Sequence, residues 1–119
     1  MVGKIMPNYI EVRQGDSFTI LFQFKNDKKF LNIDGAMLKM CVKNKVDNKI
    51  VMVKQGIVDD CENGKAHISI YPQDTNNLNI NDDYITDIQI TFANGEVHTI
   101  YPQNISSVAS FIISENVTE

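Results

Sequence analysis

Hydrophobic and polar positions alternate with a period of two along most of this chain, and that spacing sets the secondary structure. Between Ser17 and Lys25, Phe18, Ile20, Phe22 and Phe24 fall on one side of an extended segment. Thr19, Gln23 and Lys25 fall on the other, with Leu21 the exception. Successive side chains of a strand point to opposite faces, so this is the signature of a strand buried on one side. Leu38, Met40 and Val42 repeat it, with Lys39 and Lys43 facing outward. Ala66, Ile68 and Ile70 alternate with His67 and Ser69, and Tyr84, Ile88, Ile90 and Phe92 with Asp87, Gln89 and Thr91. Shorter candidates run from Tyr9 to Arg13, Ile50 to Lys54, Ile57 to Cys61, Val97 to Tyr101 and Ser110 to Ser114. The prediction is eight or nine short strands.

Turn residues punctuate these segments. Asn94-Gly95 and Asn63-Gly64 each lie between two strands, which predicts type I′ hairpins with positive φ at both central residues. Gly15-Asp16 separates the first two strands, and Asp34-Gly35 introduces the strand around Leu38. Pro72 and Pro102 each follow a tyrosine and end a strand, because proline cannot donate to a ladder. Pro72 to Leu78 is the one segment that suits a helical turn, with Leu78 as an apolar plug. Ile70-Tyr71-Pro72-Gln73 recurs as Ile100-Tyr101-Pro102-Gln103, but the distance to the upstream histidine differs, so it reads as two strands ended alike. Short strands with regular turns predict an antiparallel sandwich or barrel.

Length adds that the 119 residues suffice for one domain, 1–119, with a short N-terminal arm at 1–7. Val2, Ile5 and Met6 give that arm an apolar character suited to docking on a partner. No apolar run reaches the ~18 residues of a membrane span and no leader pattern opens the chain, so a soluble protein made in the cytoplasm is expected. The net charge of −4 lacks the basic footprint of a nucleic-acid binder. Charge is uneven: residues 1–59 carry ten bases and six acids, +4, and residues 60–119 one base and nine acids, −8. Head-to-tail contact between copies would exploit such a polarity, whereas strands interleaved in one sheet would blur it. Cys41 and Cys61 are too few for a disulfide scaffold or zinc site, and reduced thiols are expected.

Candidate chemistry is sparse. His67 and His98 would need to converge with Asp59, Glu96 or Cys61 to hold a metal, and their spacing matches no tight ligand motif. Asp59-Asp60 and Asp82-Asp83 lack the regular ladder of a calcium loop. Ser106-Ser107 has no histidine nearby in sequence, and no nucleophile elbow or phosphate-binding loop occurs. No catalytic residue, metal, cofactor or enzymatic activity is therefore expected. Tyr9, Tyr71, Tyr84 and Tyr101 are the rings available to a sugar, although Tyr84 falls on the predicted core face.

The order of the segments is more specific. Arg13-Gln14-Gly15-Asp16-Ser17 leads into Phe18–Phe24, followed by Leu31-Asn32-Ile33-Asp34-Gly35-Ala36, Asn63–Ile70 and Pro72-Gln73-Asp74-Thr75. Tyr84–Ile90, Asn94–Ile100 and Phe111–Thr118 complete it. This order resembles immunoglobulin-like virion proteins of tailed phages and prophages, nearest the N-terminal domain of phage baseplate upper proteins. The resemblance implies an immunoglobulin-like β-sandwich acting as a structural or docking module of a tail, baseplate or neck. Its implied partners are other virion proteins and copies of itself. Baseplate upper proteins continue into further domains, whereas this sequence stops at Glu119, so a stand-alone accessory protein is expected. The alternative is a module that binds a cell-surface carbohydrate or protein.

Overall fold

A computed structural model describes residues 3–104 and 106–115. All nine expected segments form strands: β2 (Tyr9–Arg13), β3 (Phe18–Gln23), β6 (Met37–Asn44), β7 (Ile50–Gln55), β8 (Ile57–Asp60), β9 (Lys65–Ile70), β10 (Tyr84–Thr91), β11 (Val97–Tyr101) and β12 (Ala109–Ser114). Three strands were not anticipated: β1 (Gly3–Met6), β4 (Lys25–Asn26) and β5 (Lys29–Phe30). A helical turn, α1 (Pro72–Thr75), stands where the prolyl segment predicts one.

The strands make two facing sheets and a hairpin. The larger, seven-stranded sheet runs β1-β2-β12-β10-β6-β7 with β11 also paired to β10, the smaller runs β3-β9-β8, and β4 pairs with β5 alone. Taking β3, β6, β7, β8, β9, β10 and β12 as strands B, C, C′, D, E, F and G gives the B-E-D and G-F-C-C′ sheets of an immunoglobulin-like sandwich. The hydroxyl of Tyr84, at the start of β10, donates to the Asn79 carbonyl at 3.0 Å, the tyrosine corner of that architecture. The chain is an all-β, immunoglobulin-like sandwich. Its ladders are antiparallel except for β2 with β12, which is parallel.

The core forms where the inward faces meet. Ile20, Ala66, Ile68 and Ile70 of the smaller sheet pack with Ile10, Leu38, Met40, Val42, Ile88, Ile90 and Phe111 of the larger. Phe18, Phe22 and Phe24 share the inward face of their segment but are only half-buried. Leu21, out of step with the pattern, is 80% exposed. The buried ends are closed by polar contacts. Gln14 Nε2 donates to the carbonyls of Thr75 at 3.0 Å and Leu78 at 2.8 Å, and the buried Thr75 hydroxyl accepts from Gly15 N–H at 3.0 Å. No buried side-chain nitrogen or oxygen among the described residues lacks a partner.

Three expectations are corrected. Residues 3–6 of the expected arm are strand β1, held on β2 with Met6 opposite Tyr9; Val2 lies outside the described residues. The Asn94-Gly95 turn is a three-residue loop: Gly95 N–H donates to the Phe92 carbonyl, Phe92 N–H to Glu96, and only Gly95 has positive φ. That is a type I turn followed by a left-handed glycine, not type I′. Asn63-Gly64 ends a 3₁₀ turn (Cys61–Asn63) with Gly64 left-handed, again not type I′. Strands of the two charge halves interleave, lysine-bearing β6 pairing along its length with β10, which blurs the polarity in the sheet as the interleaved alternative has it.

Candidate functional site

The outward faces carry the exposed chemistry. On the smaller sheet, register places Leu21 opposite His67 and His67 opposite Ile57, one row across all three strands. Leu21 is 80% and Ile57 59% exposed, so the row has apolar ends. His67 at its centre holds Asp59, with Nδ1 2.8 Å from Oδ2. Beside the row, the Thr19 and Ser69 hydroxyls share a 3.0 Å hydrogen bond.

On the larger sheet, one edge of β10 pairs with β6 throughout, but the opposite edge is divided. Residues 84–86 pair with β12 and residues 88–91 with β11. The chain between β11 and β12 departs at this fork, and a cleft of about 370 Å³ opens beneath it. Cys41, Lys43, Asp87, Thr99, Asn104 and Ser107 are among its lining residues. Cys41 is thus on the polar outer face, as alternation with Lys39 and Lys43 predicts, and Cys41 and Cys61 are both free thiols.

The candidate metal ligands are separated by the fold. His67 lies on β9 in the smaller sheet, while His98 lies on β11 in the larger, 3.2 Å from Glu96 and edge-on to Phe92. Among the described residues no three histidine, cysteine or carboxylate side chains gather as a metal site. Asp82 accepts from Asn44 Nδ2 at 3.3 Å, and Asp60 from Asn63 Nδ2 at 2.8 Å. No described helix is long and apolar enough to cross a membrane.

The tyrosines divide likewise. Tyr84 is in the core, and Tyr101 is buried with its hydroxyl donating to the Met6 carbonyl at 2.6 Å. Burial pushes the Tyr101 hydroxyl up to about 12 and raises that of Tyr84 as well, with Asp82 adding to the latter. Tyr71 is exposed and lies beneath Lys54, whose Nζ is 5.1 Å from the ring centre and 2.9 Å from Asp74. The repeated Ile-Tyr-Pro-Gln words therefore end with opposite parity, Tyr71 outward and Tyr101 inward. Lys54 shares a face with buried Met40, so edge strand β7 carries an inward-pointing charge, a device that discourages edge-to-edge pairing.

Two surface features were invisible in the sequence. The Leu21–His67–Ile57 row needs the register of three strands. The β4–β5 hairpin, Lys25 to Phe30, is too short for a period and is marked only by Asp27 in a left-handed turn. Phe30 is half-exposed on it, with Lys25 Nζ 5.2 Å from its ring centre.

No family model and no curated protein matches the chain. Among solved structures it is similar to murine CRIg at 9% sequence identity, over 92% of this chain and 93% of that one, with a TM-score of 0.39.

Proposed function

We propose that this protein is a non-enzymatic structural or docking component of a phage or prophage virion, in the tail, baseplate or neck, working through protein–protein contacts. It would be made in the bacterial cytoplasm and would act on other virion proteins and on copies of itself. The observation that carries this reading is the Leu21–His67–Ile57 row on the outer face of the smaller sheet. An exposed apolar surface rimmed by polar groups marks a site of contact with another protein, and here Leu21 and Ile57 flank the His67–Asp59 pair. The segment order of the phage proteins supports the placement in a virion.

The carbohydrate-binding alternative is weakened by the tyrosines. Two of the four rings are in the core, and Tyr71 and Tyr9 each have a lysine over one face, Lys54 at 5.1 Å and Lys4 at 5.7 Å. The test is mass spectrometry of purified particles from an induced lysogen whose genome encodes the chain. Recovery at a copy number comparable to known tail components is expected. Absence from washed particles, together with selective retention on a glycan array, would transfer the assignment to the alternative.

A further inference from the structure

We propose that copies of this chain associate head to tail, the β4–β5 hairpin of one seating in a cleft at the far end of the next. The inference deepens the docking role proposed above and rests on it.

The two surfaces lie at opposite ends of β9. Its first residue, Lys65, pairs with Gln23, and the chain leaves β3 there to form the hairpin. Its last, Ile70, leads through α1 to Asp82 and Asp83, immediately before β10. A six-residue strand separates the two ends by roughly 20 Å.

The surfaces match in chemistry. The hairpin carries Lys25, Lys28 and Lys29 against Asp27, with Phe30 half-exposed among them. None of these three lysines is within ion-pair distance of a described carboxylate. At the other end, an open cleft of about 360 Å³ has Ile80 and the exposed Ile112 in its lining, with Asp82, Asp83 and Lys45 around it; Tyr84 and Phe111 border it from the core side. Asp82 and Asp83 likewise have no ion pair with a described cation. A cavity of roughly 150 Å³ accommodates benzene, so this open and largely polar cleft is large enough for a phenylalanine ring. Phe30 would bury the ring face that Lys25 leaves open there, while Lys28 and Lys29 meet the two carboxylates. Buried aromatic anchors ringed by complementary charge are where binding energy concentrates.

Both surfaces exist once per chain and differ from each other, so the contact is heterologous and builds rings or filaments rather than closed dimers. The polarity that residue order suggested for the two halves is blurred in the sheets, yet it survives locally at these two ends.

Sedimentation velocity on the full chain tests this. The wild type should gain mass with concentration and lose it with added salt, as exposed charge pairs are screened. Phe30→Ala should weaken association at least tenfold. Lys28→Glu/Lys29→Glu and Asp82→Lys/Asp83→Lys should each stay monomeric with unchanged thermal melts, since the altered side chains are exposed. A chain carrying all four substitutions should associate again, because the charges are exchanged across the same contact. The proposal is overturned if the wild type is monomeric at every concentration, if the hairpin variant assembles like the wild type, or if the fourfold exchange does not restore association. A monomeric wild type recovered in virions would remove the head-to-tail contact and leave the docking role standing. Absence from virions would remove the role whatever the oligomeric state.

Discussion

Alanine at Gly64 and at Gly95 separates two costs that usually arrive together. Both glycines have positive φ, 67° and 91°. A Cβ at Gly95 meets nothing within 4 Å. Its penalty is therefore conformational, about 1–2 kcal/mol for the left-handed region, partly offset by about 0.4–1 kcal/mol from a less flexible unfolded chain. Gly95→Ala should cost about 1 kcal/mol. A Cβ at Gly64 would instead lie 2.5 Å from the Phe24 carbonyl oxygen and 2.8 Å from that of Leu31. Both are backbone atoms that cannot swing aside. Phe24 N–H donates to Gly64 and Leu31 N–H donates to Phe24, so any retreat strains the bonds that fix the base of the β4–β5 hairpin. Overpacking of about 1–3 kcal/mol, with a weakened hydrogen bond, brings Gly64→Ala to about 3–4 kcal/mol. Urea unfolding at equilibrium measures the difference. With a slope of about 1–3 kcal/mol/M, the midpoint of Gly64→Ala should fall about 1 M or more below that of Gly95→Ala. Coincident midpoints would refute the close approach of Gly64 to Phe24, and with it the hairpin base described above.

Three further outcomes follow from the core and its closures. Phe111, 1% exposed, should cost about 3–5 kcal/mol as Phe111→Ala, whereas half-buried Phe22 should cost less than that in the same denaturation series. Gln14→Ala removes the amide that donates to Thr75 and Leu78, and a loss of about 1–3 kcal/mol is expected with faster amide exchange around α1; unchanged exchange would count against the clamp. Because the folded Tyr101 hydroxyl ionises near 12 rather than 10, the native state holds its proton longer than the unfolded chain. Stability should fall as pH rises from about 10 to 12, and Tyr101→Phe should remove that part of the slope.

Strand positions were legible because burial on one face imprints a period of two, and Leu21 shows how far that holds. Its break in the pattern at residue 21 reports a side chain that faces water. What stayed hidden depends on partners far away in sequence. Gln14 acts on carbonyls 61 and 64 residues away, and nothing in its surroundings marks that use. The parallel pairing of β2 with β12 leaves no local trace either. The Asn-Gly words located turns correctly and misjudged their type, because Gly64 is fixed by Phe24 and Leu31 rather than by its own strands. For the surfaces, composition supplied the lysines and carboxylates, and only topology sent them to opposite ends.

The parallel register of β2 and β12 governs how this protein can be re-engineered. Val12 pairs with Gly3 on one side and Ile113 on the other, which places those two positions about 10 Å apart, two strand spacings, on the same rim of the sandwich. A linker of a few glycine and serine residues from Ile113 to Gly3 would span that gap, so a designed variant of residues 3–113 can be circularly permuted with new ends opened at the exposed turn between β6 and β7. In that variant an affinity tag belongs at the permuted opening, away from the exposed Ile112.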